Sequence, residues 1–289
     1  MNAKKKCIVC GELLLTGEQT WHRLCVGCGY ESALLDQNIN SATELHSMDE
    51  GLREEGLRSL RVQNFEILLR QIATMKKNGG RLLDVGCAHG WFLDAANQKG
   101  FDVCGIEPDA HIFNHRLAKS HPVRLGYFPE ALDQSERFDL IVFNDVIEHI
   151  PNISDAVAAC RQHLDHKGLL VLNLPDSQGI FYRLSKVFCR LGFVEFFNRM
   201  WQVGLPSPHV HYFNKRNLTK LLEEHGFKVV KSGHLATLHL SGLFARIAYA
   251  KGGKFRPVSI LTFAAVLLAF PILKLLPGDI LFVIAERDG

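Results

Sequence analysis

A chain of 289 residues, 47% apolar and 22% charged, fits one large α/β domain with an appendage and excludes the disordered and low-complexity classes. The net charge of +3 sums two opposed halves: residues 1–176 carry 18 Lys+Arg against 24 Asp+Glu (net −6), and residues 177–289 carry 15 against 6 (net +9), so the second half is expected to face something anionic. Four of the eight cysteines lie in two CxxC pairs within the first 28 residues and the rest are scattered, which excludes a secreted disulfide framework; with no signal-peptide pattern in MNAKKKCIVC, a reducing, cytoplasmic setting is expected.

The chain opens on Cys7-x-x-Cys10-Gly and Cys25-x-x-Cys28-Gly, separated by 14 residues. Two such knuckles suit tetrahedral thiolate coordination of a structural zinc, and residues 1–32 read as a zinc ribbon. A redox CxxC needs one pair in a βαβ setting, which is absent from this leader. Lys4, Lys5, Lys6 and Arg23 against Glu12, Glu18 and Glu31 leave the module at +1, a poor surface for nucleic acid. Residues 33–48 read as a polar linker. Residues 49–77 place Leu57, Leu60, Phe65, Leu68, Leu69 and Ile72 at near-helical spacing, which predicts a helix.

From 81 onward strands and helices alternate. Strands are predicted at 81–87, 102–108, 123–128, 138–146 and 168–175. Helices are predicted at 90–99, 109–120 and 154–166, the last capped by Ser154. Such alternation implies a doubly wound α/β fold with a mostly parallel sheet. Residues 177–213 break the rhythm with aromatic and basic residues and read as a cap over a substrate site. A helix (215–225) and two strands (227–232 and 280–286) follow, bringing the sheet to seven. Between them, 236–279 reads as an apolar insertion, and VSILTFAAVLLAFPIL (258–273) carries no charge. It falls short of the roughly 20 residues of a spanning helix and predicts in-plane contact with an anionic membrane, or internal packing.

The richest motif is LLDVGCAHGWFL (82–93). A strand ends in Asp84, turns through Gly86, Ala88 and Gly90, and opens a helix whose N-terminus offers amide donors. Glu107 closes the next strand, 23 residues after Asp84, where a carboxylate accepts hydrogen bonds from ribose hydroxyls. In a dinucleotide fingerprint the third small residue would fall at Trp91, which argues against NAD or FAD.

With these residues in view, the sequence resembles the class I S-adenosylmethionine (SAM)-dependent methyltransferases, especially the branch containing ubiquinone-pathway O-methyltransferases and sugar or natural-product methyltransferases. DVGCAHG (84–90) is similar to the family's first motif, with Ala88 in place of its middle glycine. FDLIVFNDVIEHIPN (138–152), LDHKGLLVLNLPD (164–176) and HVHYFNKRNLTKLLEEHGF (209–227) are similar to later segments, so the resemblance spans about 60–235. It implies a Rossmann-like sheet and SAM as cofactor. Asp84, Gly86, Ala88 and Gly90 then belong to the cofactor loop, the glycines against the methionine part. Glu107 holds the ribose, Tyr127 and Phe128 border the adenine, and Asn144 faces the methionine end.

Transfer to a hydroxyl needs a base as well as positioning. His149, His209 and His211 are the candidates. Glu148-His149 serves equally as loop scaffold, and His209 and His211 share one face of an extended segment. Asp145, Glu148 and His149 also resemble an acidic-histidine string that in the ubiquinone branch is linked to a divalent cation. The expected acceptor is a small molecule or a lipid- or sugar-linked one, methylated at oxygen. An RNA methyltransferase gripping RNA through the ribbon and a non-catalytic SAM-binding scaffold are the alternatives; nucleic acid is disfavoured by the near-neutral ribbon.

Overall fold

The computed structural model describes residues 6–40, 50–77, 79–115, 120–237 and 276–289, together with 260, 263, 264, 266–268 and 270. Most of the apolar run at 258–273 therefore lies outside the described residues. No helix among the described residues is long and apolar enough to cross a membrane.

Seven strands form the main sheet: β4 (Gly80–Val85), β5 (Phe101–Glu107), β6 (Val123–Leu125), β7 (Phe138–Asn144), β8 (Leu164–Pro175), β10 (Phe227–Leu235) and β11 (Ile280–Arg287). Their spatial order is β10-β11-β8-β7-β4-β5-β6. Pairing is parallel from β6 to β8, and β11 runs antiparallel to both of its neighbours.

Strand alternation assigns the core. Leu83 and Val85 of β4, Ile141 and Phe143 of β7, Leu170, Leu172 and Leu174 of β8 and Val283 of β11 pack on one face. There they meet α4 (Ile153–His163), α7 (Lys215–Glu224) and the N-terminal cysteine module. Leu82, Leu140, Val142, Leu169, Val171 and Ile284 point the other way, onto α1 (Glu50–Ala73) and α2 (Trp91–Asn97). Burying each such side chain stabilises the fold by about 1.5–3 kcal/mol, so both faces anchor the sheet strongly.

The predicted elements appear, with shifted ends. Helix α4 starts at Ile153, which places Ser154 inside the first turn; Asn152 occupies the cap position without a side-chain bond. The strand expected over 123–128 ends at Leu125, because Gly126 turns the chain with φ +148° and sends Tyr127 and Phe128 out of the sheet. The 177–213 stretch folds as α5 (Ile180–Arg190), α6 (Val194–Met200) and the short β9 (His211–Tyr212).

β9 connects the N-terminal module to the 177–213 stretch. The cysteine module consists of β1 (Leu14–Thr16), β2 (His22–Cys25) and β3 (Glu31–Ala33), and β9 adds to it as a fourth antiparallel strand, with Glu31 opposite Tyr212 and Ser32 opposite His211. A separate apolar core of Tyr182, Cys189, Phe197, Trp201 and Tyr212, backed by Trp21 and Ala33, fills the space between the module and α5–α6. Beside it Glu31, 4% exposed, accepts from His22 Nε2 (2.7 Å) and the Tyr182 hydroxyl (2.7 Å) and pairs with Lys186 Nζ (3.0 Å).

Burial acts to raise the Glu31 pKa, but the His22 bond and the Lys186 charge outweigh it and hold the carboxyl below its usual range. A lowered folded-state value means that this stabilisation is complete above the unfolded carboxylate pKa of about 4.3 and is lost as pH falls through the folded value. Glu31→Ala leaves His22, Tyr182 and Lys186 without their shared acceptor. We expect a loss of about 3–5 kcal/mol at neutral pH in denaturant unfolding, and a smaller difference from wild type in acid.

Candidate active site

The parallel strands deliver their carboxyl ends to one edge of the sheet, where a cleft of about 560 Å³ opens. Gly86, Ala88, Glu107, Tyr127, Phe128, Asn144 and His149 all line it.

The floor is the turn after β4. Gly86, Ala88 and Gly90 take φ values of +69°, +45° and +81°, a left-handed path that glycine follows without strain and that costs Ala88 more. A Cβ at Gly86 would lie 2.6 Å from Val146 Cγ2, so no larger residue fits there. The Gly86 and Cys87 N–H groups both donate to the Ile106 carbonyl (2.8 and 3.0 Å), which fastens the turn to β5. Gly90 caps α2, and Trp91 is buried in the layer shared with α1, in the position where a dinucleotide site needs a small residue.

Glu107 is 5% exposed and accepts from Ala88 N–H (2.8 Å) and Asp109 N–H (2.9 Å), one bond to each oxygen. Burial pushes its carboxyl up to about 7. Asp84 lies behind the cleft wall, takes a bond from Asn144 Nδ2 (3.3 Å), and is pushed up to about 8 by burial. A positive ligand charge in the cleft would favour the ionised form of both.

The opposite side of the cleft is built where β7 ends. Asp145 stands in the left-handed region (φ +55°), and Ile147–His149 form a 3-10 turn. His149 Nδ1 lies 3.0 Å from the Pro208 carbonyl; a carbonyl only accepts, so Nδ1 carries the proton and Nε2 is the basic nitrogen of the neutral ring. Glu148 is fully buried, neither carboxylate oxygen has a hydrogen-bond partner among the described residues, and burial, followed by the charge of Asp145, pushes its pKa well up.

His209 Nε2 and His149 Nε2 lie 3.9 and 4.0 Å from Glu148 Oε1, and the two rings meet edge to face at 4.7 Å. One donor atom from each of Glu148, His149 and His209 falls within 4.8 Å of the others. The trio differs from the Asp145, Glu148 and His149 set expected from the sequence: Asp145 pairs instead with Arg61 of α1 at 3.5 Å.

The three histidines thus take different places. His149 faces the cleft and His209 is buried behind it. His211 does not line the cleft; its Nδ1 meets the Tyr30 hydroxyl at 2.5 Å and its Nε2 the Ile150 carbonyl at 2.9 Å. Burial pushes its pKa down to about 4, which keeps the ring neutral. Gln37, Asn38, Ile39 and Asn40, read from the sequence as linker, line the cleft, as do Arg61, Gln202 and Ser207. Nothing in the local pattern marks Arg61. The amide-rich DQNIN stretch (36–40) is a sequence sign for Gln37, Asn38 and Asn40 alone.

In the cysteine module, Cys7 Sγ and Cys28 Sγ are 3.5 Å apart, Cys10 Sγ and Cys25 Sγ 3.3 Å, and all four lie within 4.8 Å of one another. Thiolates at about 2.3 Å from a tetrahedral zinc stand about 3.8 Å apart, so the four fit that ion.

The family model described as a methyltransferase domain matches residues 57–232. The chain belongs to this family. It is 29% identical over 166 residues to the mitochondrial ubiquinone biosynthesis O-methyltransferase of Mus musculus, covering 53% of this chain and 42% of that protein. To the Bos taurus protein of the same name it is 29% identical over 201 residues, covering 64% and 50%. The chain thus spans half or less of the length of these relatives. A SAM-dependent methyltransferase from Archaeoglobus fulgidus superposes with a TM-score of 0.52 at 17% identity, over 83% of this chain and 100% of that one. Magnesium protoporphyrin IX methyltransferase from Synechocystis, solved with S-adenosylhomocysteine (SAH) bound, gives 0.51 at 14% identity, over 81% and 87%. The fold is that of the class I SAM-dependent methyltransferases.

If the cleft binds SAM with its ribose on Glu107, affinity is expected to rise as pH increases through about 7, the value to which burial pushes this carboxyl, with proton release on binding below that pH. Glu107→Gln should flatten the dependence and weaken binding. Calorimetry in buffers of different ionisation enthalpy reads both effects.

Proposed function

We propose that this protein transfers the methyl group of SAM to an oxygen of a small-molecule acceptor, with His149 as general base. The observation that carries the reading is the position of His149: on the cleft wall, with its Nδ1 proton fixed by the Pro208 carbonyl, so that Nε2 accepts the hydroxyl proton. The buried Glu148 carboxyl lies beside it, with Oε1 4.0 Å from Nε2. Gly86, Ala88 and the first turn of α2 hold the methionine end with Asn144, Glu107 holds the ribose, and Tyr127 and Phe128 flank the adenine. In this scheme His209 supports His149, and His211 is a positioning residue.

Two metals belong to the proposal. A zinc on Cys7, Cys10, Cys25 and Cys28 stabilises the ribbon. A divalent cation, if the enzyme uses one, would sit on Glu148 and His149 with His209 as third ligand and would lower the pKa of a bound hydroxyl.

The acceptor is proposed to be amphipathic and to reach the cytoplasmic enzyme from an anionic membrane surface. Helices α5 and α6 and the turn between them expose Val187, Leu191, Phe193 and Phe196, the last two by 56% and 55%, beside exposed Arg183 and Arg199. An amphipathic surface of this kind lies in the headgroup plane.

His149→Ala is expected to lower kcat by about 10²–10⁴-fold with SAM affinity unchanged, read by mass spectrometry of product formed from catechol-like and lipid-linked hydroxyl acceptors with labelled SAM. An unchanged kcat removes the base assignment. Co-sedimentation with liposomes is expected only when they contain anionic lipid, to weaken with salt, and to fall for the Phe193→Ser, Phe196→Ser double variant. Equal binding by that variant places the contact elsewhere.

A further inference from the structure

Two connections run from the second cysteine knuckle to the cofactor cleft. The first follows the chain. Cys25 and Cys28 lead into β3, where Glu31 is held by His22, Tyr182 and Lys186, and β3 leads into residues 34–40. That segment is fastened along its length. Leu34 N–H donates to the Trp21 carbonyl (2.8 Å), the Gln37 side-chain amide to the His149 carbonyl, and Asn38 N–H to the Pro206 carbonyl (2.8 Å). Asn40 donates to the Pro108 carbonyl (2.9 Å) and accepts from Ala110 N–H (2.9 Å). Its side chain thus braces the backbone that follows Glu107.

The second connection crosses the interface. The Tyr30 carbonyl accepts from Cys25 N–H (2.9 Å), and the Tyr30 hydroxyl meets His211 Nδ1. The Ile150 carbonyl only accepts, so His211 Nε2 carries the proton, Nδ1 is bare in the neutral ring, and the tyrosine is the donor. Ile150 lines the cleft. One ring therefore joins the residue two places after a cysteine ligand to the cleft wall through two bonds of fixed polarity, the first buried and the second partly buried.

The strands β1, β2 and β3 have three, four and three residues. A sheet this small has too little core to hold itself, and metal binding is the source of folding energy for such modules. We propose that metal occupancy of the Cys7–Cys10–Cys25–Cys28 cluster and SAM binding in the cleft are thermodynamically coupled, with Tyr30–His211 and the Gln37–Asn40 segment as the connecting elements. The inference rests on the zinc and SAM readings above. Loss of the metal frees β3, and with it the wall against which the cofactor is bound; by reciprocity the bound cofactor must hold the metal more tightly by the same factor.

The test uses the full chain loaded with zinc. Zinc affinity is measured by competition with a chromogenic chelator, with and without saturating SAH, and SAM affinity by calorimetry before and after zinc removal. The expected result is tighter zinc binding with SAH, by about 5–150-fold, matched by an equal weakening of SAM in the stripped protein. Tyr30→Phe, which keeps all four cysteines, should retain one zinc per chain and reduce the factor, and Asn40→Ala should do the same while weakening SAM. Zinc affinity that is identical with and without SAH overturns the proposal. So does a factor unchanged in both variants, because coupling would then pass through global unfolding. Zinc content and SAM affinity of the wild type, measured in the same series, separate the failures: a missing ligand removes the premise, whereas two ligands bound independently defeat the coupling alone.

Discussion

Parallel strands end at a common edge, and each ends in a backbone whose next residues must find partners outside the sheet. In this protein those partners are largely one another. The amides after β4 bond to the Ile106 carbonyl and to Glu107 at the end of β5, so the glycine turn and the carboxylate facing it are positioned by the same set of bonds. The price of that arrangement is a pair of buried carboxyls, Asp84 and Glu107, both pushed up by burial. A cofactor that brings positive charge and hydroxyl donors relieves that cost, which makes the cleft selective by electrostatics as well as by shape.

The cysteine module is part of this edge. Its sheet takes β9 as a fourth strand, its Tyr30, Val9 and two of its cysteines pack in the same apolar layer as β4 and β7, and Asn217 of α7 bonds the Cys28 carbonyl. Residues 34–40 then run from the module into the cleft. The family-defining region, 57–232, therefore works with a wall contributed by residues that precede it.

Beside the cofactor floor lies a second polar group of a different kind. Glu148 is buried beside His149 and His209 with no hydrogen bond to either oxygen among the described residues, while Asp145, three residues earlier, pairs with Arg61. Unpaired buried carboxylates are costly and gather at sites of chemistry. The left-handed backbone at Asp145 is a further sign of local strain accepted for the sake of the site.

The sequence by itself determined the order of strands and helices, because consecutive apolar residues such as Leu82/Leu83 and Val142/Phe143 announce a sheet buried on both faces. It also determined the glycine turn, the carboxylate after it and the four-cysteine set, since each is a short pattern whose chemistry is local. Only the tertiary structure decided which distant groups meet. Tyr30 and His211 are 181 residues apart, Glu31 and Lys186 155, and no periodicity links them. The same holds for Arg61 on Asp145, for Asn40 on the backbone after Glu107, and for His209 joining Glu148 where adjacency in sequence favoured Asp145. Local patterns record what a segment must bury or turn; pair identities across the fold are set by packing geometry, which a single sequence does not carry.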